Sequence, residues 1–321
     1  MITILDLFTG IGGISKGFED AGFITVFSND IEESCKKIFE LNNRPHKLTV
    51  ADITKYPIKN FPKFNILVAG FPCQPFSVAG FRQGFKDKKR GDLFFRIAEI
   101  IDKRKPKAIM LENVKNLKGH DNGKTFKIIK KTLEFLGYTI QSKILNSKEY
   151  GNIPQNRESI FIVGFLDKKK AKKFKFPKEI KLTKKFVDFL EKKVDKKYYY
   201  KGKPLYNKLK NEITSKKKVY QWRRKYVREN KSNVVPTLTA NMGTGGHNVP
   251  IIKDNKGIRK LTPRECFRLQ GFSKKWKIPK NVSDSSLYKQ AGNSVTVPVV
   301  KRVALEIMKV LKNDKEIKNQ K

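Results

Sequence analysis

Cys73 stands between two prolines in Gly70-Phe71-Pro72-Cys73-Gln74-Pro75-Phe76-Ser77, directly after the apolar run Phe64 to Ala69. A cysteine on an apolar helical face, the reading that fits Cys35 and Cys266, acts as a small hydrophobe. One held by prolines at the mouth of a strand and followed by a glycine-rich basic loop to Gly91 is placed as a nucleophile under a mobile lid. A second acid of interest, Glu112, follows the apolar run Ala108 to Leu111. Near the N-terminus, Asp6 to Phe18 reads as strand, glycine turn and helix, with Gly10-x-Gly12-Gly13 at the turn. Glycines let backbone approach a ligand closely, and a carboxylate about 20 residues on is placed to accept ribose hydroxyls; Asp30 fits. The turn alone also fits a nicotinamide cofactor, but that fingerprint wants a third small residue where this chain has Ser15.

The elements that must position these groups alternate. Strands are expected at Thr3–Phe8, Ile24–Ser28, Phe64–Ala69, Ala108–Leu111 and Ser159–Phe165. Helices are expected over Ile14–Ala21, around Cys35, Ile38 and Phe39, over Leu93–Ile101, and up to Leu136 with Gly137 as its C′ residue. Such alternation builds a mostly parallel sheet. Gly10, Asp30, Asp52, Cys73 and Glu112 would each follow a strand, and so share the carboxyl edge where open sheets bind ligands. The fold class is therefore α/β, a Rossmann-like large domain.

From about Asp167 the character changes to Lys-rich stretches and a region without clean periodicity, running to Thr237-Leu238-Thr239-Ala240 and a glycine-rich loop. This reads as a smaller, irregular second domain. Thr262-Pro263-Arg264-Glu265 is a capping box with proline at N1, and that helix stops at Gly271. A last helix carrying Val299, Val303, Ile307 and Leu311 would pack back on the first domain. The expected division is 1–180 with 284–321, and 181–283.

The 321 residues carry 71 Lys and Arg against 30 Asp and Glu, a formal charge of +41. That suits a polyanionic partner, although a lysine-rich composition arises without one. Three scattered cysteines with no C-x-x-C pair argue against a zinc site or a disulfide framework and fit a reducing cytoplasm. No window supplies the roughly 18 apolar residues of a membrane helix, and the N-terminus does not read as a signal peptide.

The stretches Asp6-Leu7-Phe8-Thr9-Gly10-Ile11-Gly12-Gly13, Gly70-Phe71-Pro72-Cys73-Gln74, Glu112-Asn113-Val114, Gln155-Asn156-Arg157, Arg264-Glu265-Cys266-Phe267-Arg268-Leu269-Gln270-Gly271 and Gly292-Asn293-Ser294-Val295 resemble, in order and spacing, the bacterial-type cytosine-5 DNA methyltransferase family. The resemblance runs along nearly the whole chain. It implies an S-adenosylmethionine-dependent methyltransferase fold with 181–283 as target-recognition domain, and S-adenosylhomocysteine as product, with no metal. Phe8, Gly10, Gly12, Asp30, Ile31, Asp52, Ile53, Pro72 and Asn293 would bind the cofactor. Cys73 would attack carbon 6 of a flipped-out cytosine while Glu112 quenches charge at N3 and Arg157 holds the base. Gln74, Ser77, Arg82 and Arg90 in the lid would contact DNA.

In the small domain Gln221-Trp222-Arg223-Arg224 and Arg228 suit either base edges in the major groove or phosphates. Double-stranded DNA is the implied partner of a monomer in a bacterial-type, nucleoid-associated cytoplasmic setting, with a cognate restriction endonuclease acting separately. One departure stands out: the family's Gln-x-Arg-x-Arg reads Gln155-Asn156-Arg157-Glu158-Ser159 here. It keeps open a catalytically impaired DNA-binding relative, beside an RNA cytosine methyltransferase of the same fold.

Overall fold

The computed structural model describes residues 1–42, 46–72, 93–244 and 248–312. Cys73, Gln74, Ser77, Arg82 and Arg90 lie outside the described residues, as do the rest of the expected lid and the Lys-rich C-terminal tail. The chain divides into two compact units, residues 1–145 with 158–178 and 299–321, and residues 146–157 with 179–298.

The first unit is built on a seven-stranded sheet of order β3-β2-β1-β4-β5-β8-β6. Its strands are β1 (Thr3–Leu7), β2 (Ile24–Asp30), β3 (Thr49–Val50), β4 (Ile66–Gly70), β5 (Ala108–Val114), β6 (Thr139–Asn146) and β8 (Glu158–Phe165). From β3 to β5 the pairing is parallel; β8 runs antiparallel to β5. The central strands are fully buried, with Ile4, Leu5, Ile66, Leu67, Val68, Ala69 and Ala108 to Leu111 all at 0% exposure. Continuous apolar runs are what a sheet covered on both faces demands.

Around it lie α1 (Gly13–Glu19), α2 (Glu33–Leu41), α3 (Leu93–Arg104) and α4 (Lys124–Phe135). Gly137 closes α4 at φ +95, with Tyr138 N–H reaching the Leu133 carbonyl at 3.1 Å in a Schellman arrangement. The final helix, α7 (Val297–Lys312), lies against α1 in this unit: a Cβ on Gly17 would stand 2.6 Å from Val300 Cγ1.

The second unit is less irregular than its sequence suggests. It holds a four-stranded sheet β10-β9-β12-β13, formed by β9 (Tyr220–Trp222), β10 (Val227–Glu229), β12 (Ile251–Lys253) and β13 (Ile258–Lys260), all antiparallel. Leu209, Ile213, Tyr220, Ile251 and Ile258 make its core. Each strand is three residues long, too short to display an alternation. A short parallel pair joins β7 (Gln155–Asn156) to β11 (Val235–Pro236), and α5 (Pro263–Leu269) and α6 (Asp284–Asn293) complete the unit. The capping box at Thr262 is present, and α5 stops before Gly271 at φ +89.

Candidate active site

Strand register sets the strand ends next to Gly10, Asp30, Asp52 and Glu112 along one edge of the first unit. Leu7 pairs with Asn29 on one side and Ala69 on the other; Asp30 pairs with Val50, and Gly70 with Glu112. The exits of β3, β2, β1, β4 and β5 therefore lie side by side. Asp30 is the last residue of β2, at the end of the second strand as expected, whereas Glu112 lies within β5 rather than after it.

The exits are laced together by polar side chains. Thr9 N–H donates to the Asn29 carbonyl at 2.9 Å, and the Asn29 amide donates onward to the carbonyls of Thr49 (3.0 Å) and Ala51 (2.9 Å). Gly10 N–H donates to Asp30 Oδ2 at 2.7 Å, and Glu32 N–H to Oδ1 at 2.9 Å. Burial holds the Asp30 carboxyl above its ordinary range despite those N–H groups. Asp52 is opposite in character: the hydroxyl (2.7 Å) and N–H (2.9 Å) of Thr54 hold it below the usual range.

The turn after β1 is conformationally demanding. Phe8 has φ 55, and Gly10 and Gly12 have φ 57 and 88. A bulky side chain in the left-handed region carries strain of the kind found at ligand sites. Ser15 has a structural reason for its place: buried in α1, it donates N–H (3.2 Å) and hydroxyl to Asp6 Oδ2, and both residues are 0% exposed.

A nucleoside-bearing donor needs a carboxylate for its hydroxyls, an apolar side chain for its ring, and backbone without a Cβ in the way. Asp30 supplies the first. Ile31 is apolar yet 67% exposed, and a Cβ on Gly10 would meet no atom within 4 Å. The edge fits such a cofactor. Phe8 and Asp52 are partly buried, Ile53 is buried, and Pro72 is exposed.

Several positioning residues carried no role in the sequence reading. The buried Asn113 amide donates to the Phe71 carbonyl at 2.8 Å, tying the exit of β4 to β5 two residues before Cys73. Its signal was a lone amide at the end of an apolar strand. On α3, Arg96 donates to the carbonyls of Ile53 (2.9 Å) and Tyr56, and Arg104 to those of Ile58, Phe61 and Pro62. Two arginines on one helix thus fasten the loop that follows Asp52.

In the second unit several motif stretches converge on one another. Gln155 donates to the Leu269 carbonyl (2.8 Å) and accepts from Leu238 N–H (3.0 Å). Gln270 donates to the carbonyls of Ala291 (2.7 Å) and Ser294 (3.2 Å). Arg157 Nη1 donates to the carbonyls of Leu238 (2.7 Å) and Gly292 (3.2 Å), and Asn293 is the exposed last residue of α6. Ser159 is buried on β8 of the first unit, opposite Val114.

Arg223, Arg224 and Arg228 are exposed on the β9–β10 hairpin; Arg224, at its tip, has φ 64. Cys35 and Cys266 are buried free thiols, and burial pushes Cys266 well up. Among the described residues no group of three or more His, Cys, Asp or Glu side chains is placed to hold a metal, and no helix is long and apolar enough to cross a membrane.

A mostly parallel sheet whose carboxyl edge carries a strained glycine turn and successive acidic residues is the architecture of an α/β enzyme that binds a nucleoside-bearing cofactor. Comparison narrows the class. Residues 2–309 match the family model for C-5 cytosine-specific DNA methylase, and the chain belongs to that family. It is 51% identical over 314 residues to Type II methyltransferase M.Bsp6I of Bacillus sp. (strain RFL6), covering 96% of this chain and 99% of that one. Identity is 44% to Type II methyltransferase M.SsoII of Shigella sonnei, across 96% of this chain and 80% of that one. Among solved structures, S. pombe Dnmt2 methyltransferase superposes with TM-score 0.73 at 22% identity, covering 97% of this chain and 99% of that one. The expected fold and enzyme class are both found.

Proposed function

We propose that this DNA cytosine-5 methyltransferase modifies cytosine within a short duplex sequence as the methylase of a restriction-modification system. Supporting this are its relatives, named Type II methyltransferases and matched over 99% and 80% of their own lengths. The observation that carries the mechanism is the pairing of Gly70 with Glu112, three residues before Cys73, on the edge that also bears Gly10 and Asp30.

In this reading residues 1–180 with 284–321 do the chemistry, and 181–283 select the target. Phe8, Gly10, Gly12, Asp30, Ile31, Asp52, Ile53, Pro72 and Asn293 hold S-adenosylmethionine, with Asp30 accepting from the ribose. When bound, that cofactor supplies an electrophilic methyl group and leaves as S-adenosylhomocysteine. The Cys73 thiolate adds to carbon 6 of a cytosine turned out of the duplex, and Glu112 hydrogen-bonds N3 as charge gathers there. Carbon 5, now electron-rich, takes the methyl; loss of its proton to a base then expels the Cys73 thiolate and restores the ring. Arg157 holds the base, aided by its own anchorage on the carbonyls of Leu238 and Gly292. Gln74, Ser77, Arg82 and Arg90 close over the DNA, and Arg223, Arg224 and Arg228 contact it from the second unit. The enzyme acts as a monomer on DNA in the cytoplasm, and a cognate endonuclease cuts unmodified sites separately.

The test is transfer of labelled methyl to duplex DNA, with bisulfite sequencing to locate it and 5-fluorocytosine DNA to trap the adduct. Transfer and trapping by the native chain, both lost in Cys73→Ala, are expected. Equal behaviour of the two proteins on varied DNA would end the proposal.

A further inference from the structure

The β9–β10 hairpin lines a groove of about 600 Å³ whose walls include Gln221, Arg228, Asn230, Asn241, Asn248 and Asn156. It is rich in amides and holds one acid, Glu229, which is engaged by Lys218 at 2.6 Å. Arg228 is exposed, yet its guanidinium is not loose. Register sets it opposite Gln221, whose Oε1 accepts from Arg228 Nη2, while Asn230 Oδ1 lies 3.4 Å from the same nitrogen. Both amides are buried, at 7% and 8% exposure. The Asn230 amide is itself oriented, since its Nδ2 donates to the Val219 carbonyl at 3.3 Å.

The chemistry of these partners separates Arg228 from a structural arginine. Arg259, 1% exposed in the same unit, is matched by the carboxylates of Glu265 and Asp254. Arg228 is oriented by neutral oxygens alone, which fix its direction and leave its charge uncompensated. They also leave Nη1 and Nε without a partner among the described residues. A cation oriented at a groove wall, with donors to spare, matches the paired acceptors O6 and N7 that guanine presents in the major groove. Adenine offers a donor, N6, in place of O6. The hairpin tip beyond the groove is different: Arg224 and Lys225 are exposed and, among the described residues, their side chains are tied to no buried group, as suits contact with phosphates.

We propose that Arg228, oriented by Gln221 and Asn230, reads a guanine of the target sequence, while the hairpin tip grips the backbone. This rests on the DNA-methylating function above. The experiment first fixes the target sequence by bisulfite sequencing of DNA from cells expressing the native chain. Native, Arg228→Ala and Arg224→Ala proteins are then assayed on duplexes carrying each base in turn, and with 7-deazaguanine at each guanine.

Arg228→Ala is expected to lose about 5- to 150-fold of its discrimination at one guanine, the range of a good base contact. At that guanine 7-deazaguanine should slow the native protein but not Arg228→Ala. Arg224→Ala should instead weaken binding evenly across sequences and lower the salt slope by about 1. An Arg228→Ala protein that keeps every guanine preference, whether at full activity or with an even loss, overturns the assignment. So does indifference of the native protein to 7-deazaguanine at every position. Failure of the native protein to methylate any DNA would instead overturn the functional reading beneath.

Discussion

Glu265→Ala removes the centre of a buried cluster in the second unit. The Glu265 side chain, at 0% exposure, accepts from Arg259 Nη1 and Nη2 (2.8 Å each), and from the N–H groups of Thr262 (2.8 Å) and Glu191 (2.8 Å). Truncation leaves Arg259 buried with Asp254 as its remaining carboxylate, on Nε at 2.7 Å. Burial opposes the Arg259 charge, but hydrogen bonds and attraction from Glu265 and Asp254 outweigh it and hold the guanidinium protonated. Breaking one side of such a pair costs about 3–5 kcal/mol, and losing half of a capping box adds about 1. That is a large share of a typical total stability of about 5–15 kcal/mol. Both tryptophans, Trp222 and Trp276, lie in the second unit, so indole fluorescence reports its unfolding selectively. A urea titration followed at the indoles should show a much lowered midpoint. Pairing Glu265→Leu with Arg259→Met should recover most of it, because no charge is then left buried alone. A loss below about 1 kcal/mol, or a double variant no better than the single, would refute the reasoning.

Other outcomes follow from the first unit's edge and from the motif hub. The Asp30 carboxyl titrates above its ordinary value of 3.8, and only its ionised form accepts two hydroxyls. S-adenosylmethionine affinity should therefore fall as pH drops toward and through that raised value, a range in which Asp52, held low, stays charged. Calorimetry in which Asp30→Asn shows the same pH dependence as the native protein would refute it. Gly292→Ala would put a Cβ 2.1 Å from the Thr239 carbonyl carbon and 2.4 Å from Ala240 N. Backbone cannot yield as a side chain does, so a loss of about 3 kcal/mol or more is expected at the indole midpoint, and a near-neutral result would contradict this packing. Arg96→Met frees the Ile53 and Tyr56 carbonyls and should weaken cofactor binding about tenfold, with kcat at saturating cofactor largely kept. An unchanged Kd would separate this loop from the cofactor.

What could be read from residues alone was whatever repeats locally. The runs at Ile66–Ala69 and Ala108–Leu111 announce buried strands, and the glycines at Gly10 to Gly13 announce the strained turn after β1. The extension of β5 past Glu112 was hidden, because Glu112 and Asn113 interrupt the apolar run that marked the strand. Strands of three residues, such as Tyr220–Trp222, show no period. Least legible was the hub in which Gln155 and Gln270 bond to backbone carbonyls and amides. Gln155 and Leu269 stand 114 positions apart, and a side chain reaching a distant carbonyl imposes no pattern nearby. Ser15 read as a mismatch to a glycine fingerprint; its partner Asp6, inside β1, supplies the reason.

The chain does not visit its two units in turn. It leaves the first at Leu145, returns at Glu158, departs again after Lys178 and comes home at Val299. The brief first excursion supplies β7, on which β11 is paired some eighty residues later. Neither unit can thus be excised as one continuous piece. A cut after Lys178 would strip the downstream half of Gln155 and Arg157, the side chains that fasten Leu238. On the proposal that the second unit selects the target, grafting a new preference would proceed by exchange within 179–298, with both flanking crossings retained, rather than by joining modules end to end.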